Sequence, residues 1–145
     1  MKRIWFVCSD FKDEENKERP MQQLKEIFKD WEINLFESTF DIISPENTQV
    51  LPPDLIIIDM GGLAAWSGQF ELTVRSMIAS IFYDYEATPI FLCSCFPLYL
   101  QIAEEELTEM GFSPIFLGKD DQCSWPCWCS ATPVGKTCGS PWSRA

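Results

Sequence analysis

The chain has 145 residues, 46% of them hydrophobic and 23% charged, with 11 Lys+Arg, 22 Asp+Glu, no histidine and a net charge of -11. The length fits one compact domain, and the apolar share fits a real core rather than wholesale disorder. The acidity excludes a phosphate-tracking nucleic-acid binder, and the missing histidine excludes Ser-His-Asp and Cys-His catalysis, histidine metal sites and histidine pH switching within this chain.

Charge and cysteine are unevenly spread. All 22 acids precede Cys123, whereas residues 123–145 hold two bases, Lys136 and Arg144, with four of the seven cysteines and three of the six tryptophans. Residues 1–120 therefore read as an acidic α/β body, and residues 121–145 as an irregular Cys/Trp-rich tail, disordered or non-native. The tail thiols Cys123, Cys127, Cys129 and Cys138 are of a type that binds zinc or an iron–sulfur cluster, but no Cys-x2-Cys pair is among them. Gly135-Lys136-Thr137 resembles the end of a P-loop, yet no strand precedes it and the first glycine position is Ser130.

The first element expected is a buried parallel strand over Ile4 to Cys8, a continuous apolar run rich in aromatic and β-branched residues. That run is too short for a signal-peptide core, and no stretch approaches the roughly 18 apolar residues of a membrane span, so a cytoplasmic protein with reduced thiols is expected. Asp10 to Glu18 reads as a charged loop. Pro20 sits where a helix begins, with Met21, Leu24, Ile27, Phe28 and Trp31 at helical spacing after it. Ile33 to Phe36 is a second strand. The crossover from Glu37 to Pro53 has room for only a short helix, because its prolines stop one.

Asp54 to Asp59 is the clearest strand, apolar on both faces as a central parallel strand requires. Gly61-Gly62 permits a sharp turn after it. Ser67 is placed to cap a helix running to about Tyr85, with Phe70, Val74, Met77, Ile78, Ile81 and Phe82 as its buried stripe. Pro89 to Cys95 is the fourth strand. Pro97 opens the next helix, and Gly111 is its C-terminal stop. Pro114 to Leu117 is a short fifth strand. Strands alternating with helices predict a three-layer α/β sandwich whose five-stranded parallel sheet has the flavodoxin-like order 2-1-3-4-5.

In that order the C-terminal ends of strands one, three and four lie side by side, so a site is expected just after Cys8, Ile58 and Cys93. The loop after strand one holds Asp10, Asp13, Glu14 and Glu15 and no glycine. It suits neither a flavin phosphate nor a dinucleotide and would tolerate a hard cation such as magnesium better. Asp59, Ser94 and Lys119 end strands three, four and five. An exposed carboxylate, a hydroxyl and an ammonium at three neighbouring strand ends suit phosphoryl transfer, with the carboxylate as nucleophile, the hydroxyl as donor and the ammonium as charge clamp. Cys8, Cys93 and Cys95 near the same edge read as buried, hydrophobe-like thiols.

Pro53-Asp54-Leu55-Ile56-Ile57-Ile58-Asp59, Thr88-Pro89-Ile90-Phe91-Leu92-Cys93-Ser94 and Gly111 through Phe116-Leu117-Gly118-Lys119 resemble strands three, four and five of the receiver domains of two-component response regulators. The resemblance covers residues 3 to about 120. It implies that Asp59 accepts a phosphoryl group from a phosphohistidine on a partner protein. It implies further that Asp10, Asp59 and the Gly61 carbonyl hold magnesium, and that Ser94, Lys119 and Phe116 respond to the phosphorylated state. The chain departs from the family at the end of strand one, where Cys8 and Ser9 stand in place of two adjacent acids, and after Lys119, where Asp120 replaces proline. A receiver-like regulatory or protein-interaction module, degenerate in phosphoryl chemistry and without a cofactor, is therefore the leading expectation. A working phosphoacceptor with Asp59 as nucleophile is the alternative. A small enzyme using the Gly61 to Gly68 loop is a third reading.

Overall fold

The computed structural model describes residues 2–43, 52–60, 70–94 and 97–116. Its strands are β1 (Arg3–Val7), β2 (Glu32–Phe36), β3 (Leu55–Asp59), β4 (Ile90–Cys93) and β5 (Ile115–Phe116), all parallel, in the order β2-β1-β3-β4-β5. The expected 2-1-3-4-5 sheet of a three-layer α/β fold is thus present. Its elements are slightly shorter than the apolar runs that announce them.

Two residue rows cross the whole sheet. Leu35, Phe6, Ile57, Phe91 and Ile115 stand in one, and Phe36, Val7, Ile58, Leu92 and Phe116 in the next. Successive strand residues point to opposite faces, so the two rows feed two separate cores. Leu35, Phe6, Ile57 and Phe91 of the first row pack with Leu24 of α1 (Glu18–Ile27), and with Phe11 and Cys8. The second packs with Ile42 of α2 (Phe40–Ile43), with α3, and with Leu100, Ala103 and Leu107 of α4 (Pro97–Glu109). Helix α3 comprises the consecutive segments Phe70–Thr73, Val74–Ile78 and Ala79–Asp84. All five residues of β3 are buried, which is why its sequence runs apolar without alternation.

Several expectations shift in detail. Residues 10–18 are not simply a charged loop. Ser9–Lys12 and Glu14–Asn16 form two 3-10 turns that tuck Phe11 edge-on against Phe6, with ring centroids 5.2 Å apart. Helix α1 begins at Glu18, so Pro20 is its third residue rather than its first. That costs nothing, because the first helical N–H groups have no intrahelical acceptor. It also ends at Ile27, which is 44% exposed and leaves the expected stripe. The middle of α3, Val74–Ile78, is a π-helical turn. Phe70, Val74 and Ile78, each four apart, are buried on one face, as the expected stripe requires. The proposed cap Ser67 lies outside the described residues.

The opposite edge of the sheet is pinned by polar groups. The Arg3 N–H donates to an Asp54 carboxylate oxygen at 2.8 Å, and the Arg3 guanidinium pairs with Glu32 at 3.0 Å. The Thr88 hydroxyl donates to the Pro53 carbonyl at 3.1 Å. Gly111, at φ 94°, terminates α4 as expected, and the Phe112 N–H reaches back to the Leu107 carbonyl at 2.9 Å. Among the described residues, no helix is long and apolar enough to cross a membrane.

Candidate functional site

Strands β1, β3 and β4 end side by side, and their last residues bring Cys8, Asp59, Cys93 and Ser94 to one edge. Val7 pairs with Ile58 and Asp59 with Cys93. Each strand is held at its end by a bond to its neighbour. The Cys8 N–H donates to the Phe36 carbonyl at 2.9 Å, and the Met60 N–H to the Cys93 carbonyl at 2.8 Å. The placement predicted from strand order is therefore realised for Asp59 and Ser94.

Their environment differs from the expectation. Asp59 was expected to be exposed, but it is buried at 8% exposure, and Ser94 is buried at 4%. The neighbouring strand end supplies a partner for Asp59. The Cys8 thiol, 1% exposed, donates to Asp59 Oδ2 at 3.3 Å. A buried carboxylate needs hydrogen-bond donors to offset lost hydration, and this thiol supplies one. The Cys93 thiol contacts the Ile58 carbonyl at 3.5 Å on the far side of the same strand end. Neither Cys8 nor Cys93 is in a disulfide, and they sit at the ends of β1 and β4, which β3 separates. Two intervening strand spacings place them beyond the reach of a disulfide.

Cys8 is the participant that sequence reasoning missed. It read as a small hydrophobe, which its burial supports, but not as the partner of Asp59. The available signal was the place of Cys8 at the end of β1, beside the strand that ends in Asp59.

Asp10 sits in the 3-10 turn immediately after Cys8 and Ser9. Partial burial pushes its carboxyl above the ordinary carboxylate value, Lys12 opposes that shift, and the negative charge of Asp13 adds to it. The Asp10 carbonyl also accepts a bond from the Asn16 side-chain amide at 2.9 Å, which ties the second 3-10 turn to the first. Among the described residues, no group of three or more Cys, Asp or Glu side chains is arranged to hold a metal ion. Gly61, the third expected ligand, and Lys119, the expected charge clamp, lie outside the described residues, as do Cys95 and the tail thiols.

The described residues thus define a parallel α/β protein of order 2-1-3-4-5 with a buried thiol–carboxylate pair at its carboxyl edge. No protein-family model matches the chain, and no curated protein matches it. Among solved structures, three of S. aureus homoserine dehydrogenase, at pH 6.0, 7.0 and 8.5, are similar at 18%, 16% and 16% identity. They cover 80%, 79% and 80% of this chain, with TM-scores of 0.36, 0.36 and 0.38. The chain spans about a third of the length of those structures, at 33%, 32% and 33%. A likeness at that TM-score carries no argument about function.

Proposed function

We propose that this protein is a receiver-like regulatory module that works by protein contact in the cytoplasm, without phosphoryl transfer at Asp59 and without a nucleic-acid partner. The observation that supports this reading is the Cys8–Asp59 hydrogen bond at 3.3 Å, made by a carboxylate with 8% exposure. An in-line phosphoryl transfer needs an accessible carboxylate oxygen and compensation for the phosphoryl charge. Here one oxygen accepts from a buried thiol. The residue supplying that thiol also occupies a position where a magnesium-binding acid would be needed. The acidity of the chain disfavours a polyanionic partner.

The phosphoacceptor remains a second reading, favoured by the placement of Asp59 and Ser94 at adjacent strand ends. In it, Asp59 Oδ would attack the donor's phosphorus, a P–O bond to Asp59 would form as the donor's bond to phosphorus breaks, and magnesium would be required. Incubation with acetyl phosphate and magnesium, followed at once by intact mass, separates the two. The expected result is no gain of a phosphoryl mass. A gain that disappears in Asp59→Ala would overturn the contact-module reading in favour of the phosphoacceptor.

A further inference from the structure

An exposed aromatic cluster lies at the C-terminal end of α3. Tyr83, 64% exposed, meets the Phe112 ring edge-on with centroids 5.0 Å apart, and Phe82 meets the same ring at 5.1 Å. Phe82 and Phe112 are half-buried against the core on the α3–α4 side, so the pair forms a fixed base from which Tyr83 projects. Aromatic side chains anchored this way bring large contact area at low entropic cost, the property that enriches them at binding hot spots.

The stretch of chain that carries the cluster has charge of one sign. From Ser76 to Phe116 there is no Lys or Arg, against six acids: Asp84, Glu86, Glu104, Glu105, Glu106 and Glu109. Asp84 directly follows Tyr83 and Glu86 lies two residues further on, both exposed, while Glu109 stands three residues before Phe112. Arg75 reaches in from the middle of α3 and pairs with Glu106 and, at 3.0 Å, with Glu109. Asp84 and Glu86 follow Tyr83 on exposed positions, and among the described residues neither is in an ion pair, so the aromatic anchor has a negative rim. A second copy of this acidic chain, or a nucleic acid, would meet repulsion there. A cationic segment would be steered to it.

We infer that the Tyr83–Phe112 cluster with its Asp84–Glu86 rim is a docking surface for a basic peptide segment of a partner protein, one carrying Lys or Arg beside an apolar or aromatic anchor. The inference rests on the contact-module reading and names its surface and its partner's chemistry. The apolar anchor packs on Tyr83 and Phe112, and the cations neutralise the rim and lie over the Tyr83 ring.

The test titrates the full chain into a fluorescently labelled amphipathic Leu/Lys peptide, read by anisotropy, with a Leu/Glu peptide of the same pattern as control. Saturable binding of the Leu/Lys peptide is expected, weakening by about tenfold in Tyr83→Ala, retained in Tyr83→Phe and falling with salt. Tyr83 is exposed, so Tyr83→Ala should keep its fold, which the thermal midpoint checks. No saturable binding, equal binding of the Leu/Glu peptide, or a Tyr83→Ala affinity equal to the parent's would overturn the inference. So would a concentration-dependent dimer that Tyr83→Ala abolishes, because the occupant would then be a second copy. Phosphoryl addition at Asp59 would instead sink the contact-module reading and leave this titration unchanged, so the two failures are distinguishable.

Discussion

Replacing Cys8 by Asp tests whether the carboxyl edge is built around a thiol that lends its proton. The Cys8 sulfur lies 3.3 Å from Asp59 Oδ2, and both side chains are buried. In Cys8→Asp, a second carboxylate faces the first across a similar gap. Two like charges about 4 Å apart repel by about 4 kcal/mol at an effective dielectric of 20. Sharing one proton relieves part of this by raising the folded-state pKa of one carboxyl. A net loss of about 2–3 kcal/mol at pH 7 is therefore expected, a large share of a total stability of about 5–15 kcal/mol. For a chain of this size that lowers the thermal midpoint by roughly 5–10 °C.

The pH dependence has a definite sign. A carboxyl whose folded pKa lies above its unfolded value of about 3.9 costs nothing once both states are protonated. The penalty grows as pH rises from there and is complete above the folded pKa. The deficit of Cys8→Asp should thus shrink on acidification and be full at neutral pH. Cys8→Ser, which keeps a donor at the same place, should stay close to the parent. Thermal unfolding of the three proteins from acid to neutral pH measures this. A Cys8→Asp midpoint equal to the parent's at pH 7, or a deficit that does not change with pH, would refute the idea that Asp59 depends on a neighbouring donor.

Ile57→Ala removes a side chain with no exposed surface from the central strand and should cost about 2–5 kcal/mol in chemical denaturation, with the m-value unchanged. Tyr85→Phe deletes a buried hydroxyl that donates to the Ile42 carbonyl and fastens α2 to α3, so a loss of about 1–2 kcal/mol is expected, with an unchanged midpoint counting against that tether. Asp10→Asn should be more stable than the parent at neutral pH. Burial raises the Asp10 pKa, so its ionised form weakens the fold above that pKa, and the advantage should vanish below the ordinary value of 3.8. Thermal melts of the Asp10→Asn pair across that range would show a pH-independent difference if the reasoning is wrong.

Most of the architecture is legible without coordinates. Ile4-Trp5-Phe6-Val7 and Leu55-Ile56-Ile57-Ile58 are apolar on both faces, and only a parallel strand between two helical layers needs that pattern. Pro97 and Gly111 bracket α4 because each suits one end of a helix and no interior position. Strand order follows in turn from the alternation of elements and the handedness of crossovers. The sites of Asp59 and Ser94 at one edge come with that order.

The tertiary structure alone decides what those edge residues touch. Phe11 lies within a run of charge that reads as a loop, yet it is buried because the chain folds back and sets its ring against Phe6. Helical periodicity predicts the buried stripe of Phe70, Val74 and Ile78 in α3, but not the π turn over Val74–Ile78 that runs through it. Asp59 reads as an exposed acid, but it is buried, and Cys8, 51 residues away in sequence, donates to it. Local pattern encodes the elements because periodicity is a property of neighbouring residues. The protonation, burial and partners of a side chain at a strand end depend on which distant strand ends beside it, and that is a property of register.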